Sequence, residues 1–165
     1  MQKNLFFICP TDNLKPVIDN RFKHENHYFT SLGNSIIFDK CMMAQISLLL
    51  QTKNVNSISF VLSDNNRIVS EPLSKKDFSE ILELGDLYNQ IAIQREYTEG
   101  VWQTYDRQFL MLSYHLNYKI KELKMGLKCL SLDPPKIDGK IYNRREGIFS
   151  NIYSDLISNH CVSMN

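Results

Sequence analysis

The sequence predicts a three-layer α/β domain, with a mainly parallel central sheet flanked by helices and an antiparallel hairpin at its C-terminal edge. Three observations predict it. Short continuous apolar runs of strand length recur along the chain, as in strands buried on both faces of a sheet. Segments with apolar residues at every third or fourth position alternate with them, as in helices that cover a sheet. Near the end, two strand-like segments flank a polar loop with a glycine in it.

Leu5-Phe6-Phe7-Ile8-Cys9 is the first strand, cut off by Pro10. His27 to Leu32, aromatic and β-branched, is the second, and Ser57 to Leu62 the third. Cys41 to Thr52 is rich in Met and Leu and follows Asp39, a side chain suited to cap a helix start. A further helix should begin at Ser74, where Ser74 and Asp77 resemble a capping box, with Gly85 able to bend or interrupt it. From about Val101 to Lys124, Trp102, Tyr105, Phe109, Leu112, Leu116, Ile120 and Leu123 mark one apolar stripe of a long helix. Gly126 suits the end of that helix, and Leu127 to Leu132 is expected as a fourth strand. Lys140-Ile141-Tyr142 and Ile148 to Tyr153 then form the hairpin around Asn143 to Gly147, with Gly147 placed for positive φ.

The chain has 165 residues, 43% apolar and 22% charged, which fits one domain over residues 1–165 with one substantial core. Nineteen basic and eighteen acidic side chains nearly cancel, so no global field draws the protein to nucleic acid or an anionic membrane. The N-terminal apolar run is too short for a secretory signal or a membrane span. Cys9, Cys41, Cys129 and Cys161 are scattered, without a Cys-x-x-Cys pair, and read as reduced thiols in a cytoplasm. No repeat, low-complexity tract, phosphate loop, Gly-x-Ser-x-Gly elbow or His-Glu-x-x-His pattern is present.

In such folds ligands sit beyond the carboxyl ends of the strands, so chemistry is sought there. Cys9 and Asp12 leave the first strand, and Lys15 stands where a thiol phosphatase would carry Arg, in a loop without Gly. Gly33 and Asn34 follow the second strand, and Ser63, Asn65, Asn66 and Arg67 the third. Each segment alone is an ordinary polar turn, and Cys9 alone an ordinary buried thiol. Their order carries more. The three segments together resemble the β-class carbonic anhydrases, whose first strand ends in Cys-x-Asp-x-Arg, the next in Arg-Asn-Ala-Gly-Asn and the third in Gly-His-Ser-x-Cys-Gly. Phe29 to Ile36 looks like the second motif with Gly33 and Asn34 kept, and Val55 to Val61 looks like the turn and strand before the third. Asp138 to Asn143 with Glu146-Gly147-Ile148 resembles the family's closing hairpin, so the resemblance spans almost the whole chain.

The resemblance implies the family's fold and a homodimer. It also implies a zinc ion held by two Cys and one His, and here the departures begin. Cys9 matches the first Cys, but Asp12 lies one residue too far along and Leu14 or a neighbour stands where Arg is expected. Aligning Val61 and Val69 puts Ser63 at the His position and Asn66 at the second Cys position. A catalytic zinc needs about three protein ligands and an open position for water. Hydroxyl and amide groups are poor zinc ligands, so no zinc, no cofactor and no carbonic anhydrase activity are expected. His24 and His27, with Glu25 between them, would share a face only on a helix; His115 and His160 have no partner implied by the sequence. Met42 and Met43 and the aromatic stripe read as core or subunit interface.

The expectation is therefore a non-catalytic protein of structural or regulatory role. Two alternatives stand beside it. One is a module that binds a small anion or polar metabolite through Asn34, Ser63, Asn65 and Asn66, with charge from Arg67 or Lys15. The other is an enzyme of altered chemistry using Cys9 and Asp12.

Overall fold

The computed structural model describes residues 3–70, 82–98, 107–130 and 135–153. A five-stranded sheet runs in the order β2-β1-β3-β4-β5, with β1 at Lys3–Ile8, β2 at Glu25–Thr30, β3 at Ser57–Ser63, β4 at Lys136–Asn143 and β5 at Ile148–Asn151. The first four are parallel and β5 returns antiparallel to β4. Helices lie on both faces: α1 (Lys15–Arg21) on one, and α2 (Lys40–Lys53), α4 (Leu82–Thr98) and α5 (Arg107–Cys129) on the other, with α3 (Arg67–Ser70) a single turn after β3.

The alternation of side chains along β1 explains why its run is apolar throughout. Leu5, Phe7 and Cys9 face the larger core with Ile58, Phe60 and Leu62 of β3, while Phe6 and Ile8 join Val61, Leu14 and Ile18 under α1. Phe29, Phe7 and Phe60 stand at matched register on three adjacent strands and stack, with ring centroids 5.4 and 4.5 Å apart. Asp39 caps α2, its Oδ1 accepting from the Met42 N–H at 2.7 Å. Met43 is buried and Met42 packs against the same core. Gly147 takes φ 68° in the hairpin turn, as expected.

Three sequence readings change. First, a helix that the sequence reading does not name, α1, follows the polar turn after Cys9; Pro16 in its first turn lacks only an N–H that a helix start leaves unpaired, and Ile18 anchors it to the sheet. Second, Gly126 does not end α5, and Leu127 to Cys129 is helix, not strand. The stripe Leu116, Ile120, Leu123, Leu127 continues at helical spacing and all four are buried, which outweighs the weak stop signal of one glycine. Gly126 serves a close approach instead: a Cβ there would lie 2.8 Å from the sulfur and the terminal methyl of Met43 on α2. Third, the fourth parallel strand and the first arm of the hairpin are one element, because β4 pairs with β3 on one edge and β5 on the other.

Gly85 lies inside α4 without interrupting it. Phe109, Leu112, Leu116, Ile120 and Leu123 face the core as expected. The expected capping box at Ser74 and Asp77, Trp102 and Tyr105 of the stripe, residues 131 and 132 of the expected strand, and the tail with His160 and Cys161 lie outside the described residues. Among the described residues no helix is long and apolar enough to cross a membrane.

Candidate functional site

The exits of β1 and β3 meet at one end of the sheet. After Cys9 a 3₁₀ turn over Pro10–Asp12, closed by Asn13 in the left-handed region at φ 48°, folds Asp12 inward until only 3% of it is exposed. Its two carboxylate oxygens then take separate partners. Oδ2 accepts the Ser63 backbone N–H at 2.8 Å and Oδ1 accepts the Asn66 amide Nδ2 at 2.8 Å. Asn66 is itself fully buried, and its Oδ1 accepts the Val69 N–H at 3.0 Å, capping α3. Burial raises the Asp12 pKa above the ordinary carboxylate value, more than the Ser63 and Asn66 hydrogen bonds and the charge of Arg144 lower it. The Ser63 hydroxyl donates to Asn65 Oδ1 at 2.7 Å.

The loop after β2 packs behind this network. Gly33 takes φ 58°, which favours glycine, and a Cβ there would press on Ile68 at 3.0 Å. Its N–H donates to Cys9 Sγ at 3.1 Å, and that sulfur also lies 3.0 Å from the Thr11 hydroxyl. Asn34 is fully buried and its Nδ2 donates to the Val61 carbonyl at 3.1 Å, tying the loop to β3. From α5, His115 Nε2 meets the Gly33 carbonyl at 2.6 Å and Lys119 Nζ donates to the Ile36 carbonyl at 3.1 Å and to Glu122 at 2.8 Å. A carbonyl can only accept, so Nε2 carries the His115 proton. Nδ1 is left bare and buried, and the buried ring has its pKa lowered to about 4, chiefly by desolvation.

The network opens on a cavity of about 430 Å³ lined by Thr11, Asp12, Asn65, Arg67, Ile68 and Arg144. Of the residues read from sequence, Asp12, Asn65 and Arg67 line it. Ser63 and Asn66 stand behind, holding Asp12, while Cys9 and Asn34 are buried outside the lining. Lys15 turns away, its ammonium 5.2 Å above the Tyr28 ring. His24 is an exposed bend residue and His27 lies on β2, 3.3 Å from Glu25, so neither joins the crevice.

Arg144 is the residue that sequence reading missed. It leaves β4 in the hairpin turn and reaches back, Nε donating to Asn65 Oδ1 at 3.0 Å and Nη2 to the Asp12 carbonyl. Its sequence neighbourhood gave only a solvated loop. His115 did carry a signal, since it lies on the apolar stripe beside Leu112 and Leu116, where a histidine needs a buried partner.

Zinc, which the sequence resemblance implies for the fold, does not suit this donor set. Cys9 Sγ accepts an N–H, both oxygens of Asp12 are engaged, Asn66 turns its oxygen to Val69 and its NH₂ group to Asp12, and Ser63 is directed at Asn65. Among the described residues no three His, Cys, Asp or Glu side chains are grouped to hold a metal ion.

No protein-family model matches the sequence, and no curated protein matches it either. Solved structures do match in three dimensions. The β-carbonic anhydrase CafD of Aspergillus fumigatus superposes with a TM-score of 0.72 at 13% identity, over 93% of this chain and 90% of that one. A tetrameric β-carbonic anhydrase of Sordaria macrospora gives 0.69 at 12% identity, over 92% of this chain and 80% of the other. The Coccomyxa β-carbonic anhydrase solved with acetazolamide gives 0.70 at 13%, over 92% and 72%. The chain has the β-carbonic anhydrase fold.

Proposed function

We propose that this protein is a β-carbonic anhydrase-fold protein without a zinc centre, that it does not hydrate carbon dioxide, and that it works in a structural or regulatory role. The observation that carries this reading is the engagement of the Asp12 carboxylate: Ser63 and Asn66, at the positions aligned with a zinc-binding His and Cys, each hold one of its oxygens. A buried polar network that satisfies its own members favours one fixed arrangement over exchange with a metal. The test is zinc content of the purified protein together with its rate of carbon dioxide hydration. Substoichiometric zinc and a background rate are expected; one tightly held zinc per chain with hydration above background would overturn the reading.

A cytoplasmic location is supported by the free thiols Cys9, Cys41 and Cys129. The proposed assembly is a homodimer, with the tetrameric Sordaria structure as support for an oligomer in this fold; light scattering on the purified protein decides between monomer, dimer and tetramer.

A second reading, a module for a small anion or polar metabolite, is favoured by one further observation: Arg67 and Arg144 both border the cavity. The third, altered chemistry at Cys9 and Asp12, has less behind it, because Cys9 is fully buried and its sulfur is occupied by the Gly33 N–H. Thiol labelling of Cys9 as fast as an activated thiolate would revive it.

A further inference from the structure

We propose that Arg67 and Arg144 form a binding site for the oxyanion group, carboxylate or phosphoryl, of a small metabolite at the mouth of the crevice. The site deepens the second reading above and rests on it. A cavity of about 430 Å³ lies within the range of small-molecule pockets and is larger than a bare inorganic ion would fill. Its walls are mixed in the way such pockets are: Arg67, Arg144, Thr11 and Asn65 are polar residues of the lining and Ile68 is an apolar one.

The two arginines are prepared differently. Arg144 is oriented by its Nε bond to Asn65 and its Nη2 bond to the Asp12 carbonyl. Those two bonds hold the planar fork in place and leave its remaining N–H groups to donate elsewhere. Arg67 is exposed and, among the described residues, its side chain makes no hydrogen bond or ion pair. A guanidinium at a pocket rim with open donors, beside a second one already fixed, matches the paired oxygens of a carboxylate or phosphoryl group.

Two carboxylates stand close enough to matter. Asp12 lines the cavity, but both of its oxygens accept from the protein interior, from Ser63 and Asn66, and burial raises its pKa. Asp64 does not line it; its Oδ1 lies 3.5 Å from the Arg144 backbone nitrogen. The lining itself therefore carries two cationic groups and one internally engaged carboxyl.

The test is calorimetric titration of the full chain with inorganic phosphate and, separately, with malonate, at constant ionic strength set by sodium chloride. Saturable binding of either anion is expected. Phosphate alone would assign the phosphoryl class, malonate alone the carboxylate class, and both the shared chemistry. Arg67→Gln should weaken the binding at least about tenfold, the loss of a charge-assisted contact. Arg145→Gln, next to Arg144 but outside the lining, should leave it unchanged. Because Arg67 has no described side-chain partner, Arg67→Gln folds as the parent does, and its thermal midpoint without ligand verifies this. No saturable binding of either anion, a loss below about tenfold in Arg67→Gln, or an equal loss in Arg145→Gln would overturn the proposal. Saturable binding that Arg67→Gln leaves unchanged would refute this site while the binding-module reading stands, and absence of saturable binding by either anion would refute both.

Discussion

Acid should weaken this fold through His115, and the size of the effect can be worked from its surroundings. The ring is wholly buried, its Nε2–H is committed to the Gly33 carbonyl, and Nδ1 has no partner that could accept a second proton. Lys119, one helical turn along α5, adds a like charge that also opposes protonation. The ring pKa falls from an ordinary 6.5 to about 4. Between those values the unfolded chain binds a proton at this site and the folded chain does not. Stability contributed by the neutral ring is therefore fully present above pH 6.5 and lost as pH falls toward 4. The difference amounts to about 3 kcal/mol, a large part of a typical domain's stability. Asp12, with its raised pKa, contributes in the opposite direction, so the whole-protein curve is not the right readout. The assay is urea unfolding of the parent and of His115→Gln across that pH range. Gln keeps an N–H for Gly33 and cannot take a charge. The gap between the two should narrow by about 3 kcal/mol as pH falls; parallel curves would refute the reasoning.

Other expectations follow from single contacts. Asp12→Asn should cost about 1–3 kcal/mol by urea unfolding, because an amide offers one acceptor where Ser63 N–H and Asn66 Nδ2 need two, and turning Asn66 round would abandon Val69. The raised Asp12 pKa favours the protonated carboxyl in the fold, so the parent should lose ground against Asp12→Asn as pH rises from below 3.8 through that raised value. Gly126→Ala should be close to neutral, since about 1 kcal/mol of helix propensity is offset by displacing the tip of Met43; in a Met43→Ala background the same change should stabilise by about 1 kcal/mol. Phe7→Ala, at the centre of the three-strand stack, should cost about 3–5 kcal/mol in the same assay.

The parts of the fold that were legible in the sequence are those with a strong local signature. Phe6-Phe7-Ile8 and Phe60-Val61-Leu62 are apolar without alternation because both faces of β1 and β3 are covered, and Asp39 announces α2 by the same hydrogen bond that forms it. α1 was not legible because it is only two turns long and its one fully buried side chain, Ile18, gives no period to read. β4 was misplaced because Lys136-Ile137-Asp138-Gly139-Lys140 is polar and broken by glycine, whereas the true end of α5 looked like a strand in its apolar run. At the site, the polar residues after β1 and β3 could be named, but not their pairing. That Ser63 offers Asp12 its backbone N–H rather than its hydroxyl is a property of the turn over Pro10–Asp12, and no residue type encodes it directly. Arg144 belongs to the crevice only because β5 must return along β4 and so carries the turn over the ends of the neighbouring strands.

The reach of Arg144 also bears on the order in which the chain assembles. Its bond to the Asp12 carbonyl joins positions 132 residues apart, whereas β1 and β2 pair across a connection of one 3₁₀ turn and one short helix. Closing a loop so long yields no return until the intervening sheet exists. The Arg144 contact is thus expected to form late, and removing its guanidinium should quicken unfolding while leaving the folding rate almost untouched. A chain assembled in this order has its sheet and core in place before the Arg144 contact closes, so a change of Arg144 falls on the rim of the crevice and not on the Asp12 network beneath it.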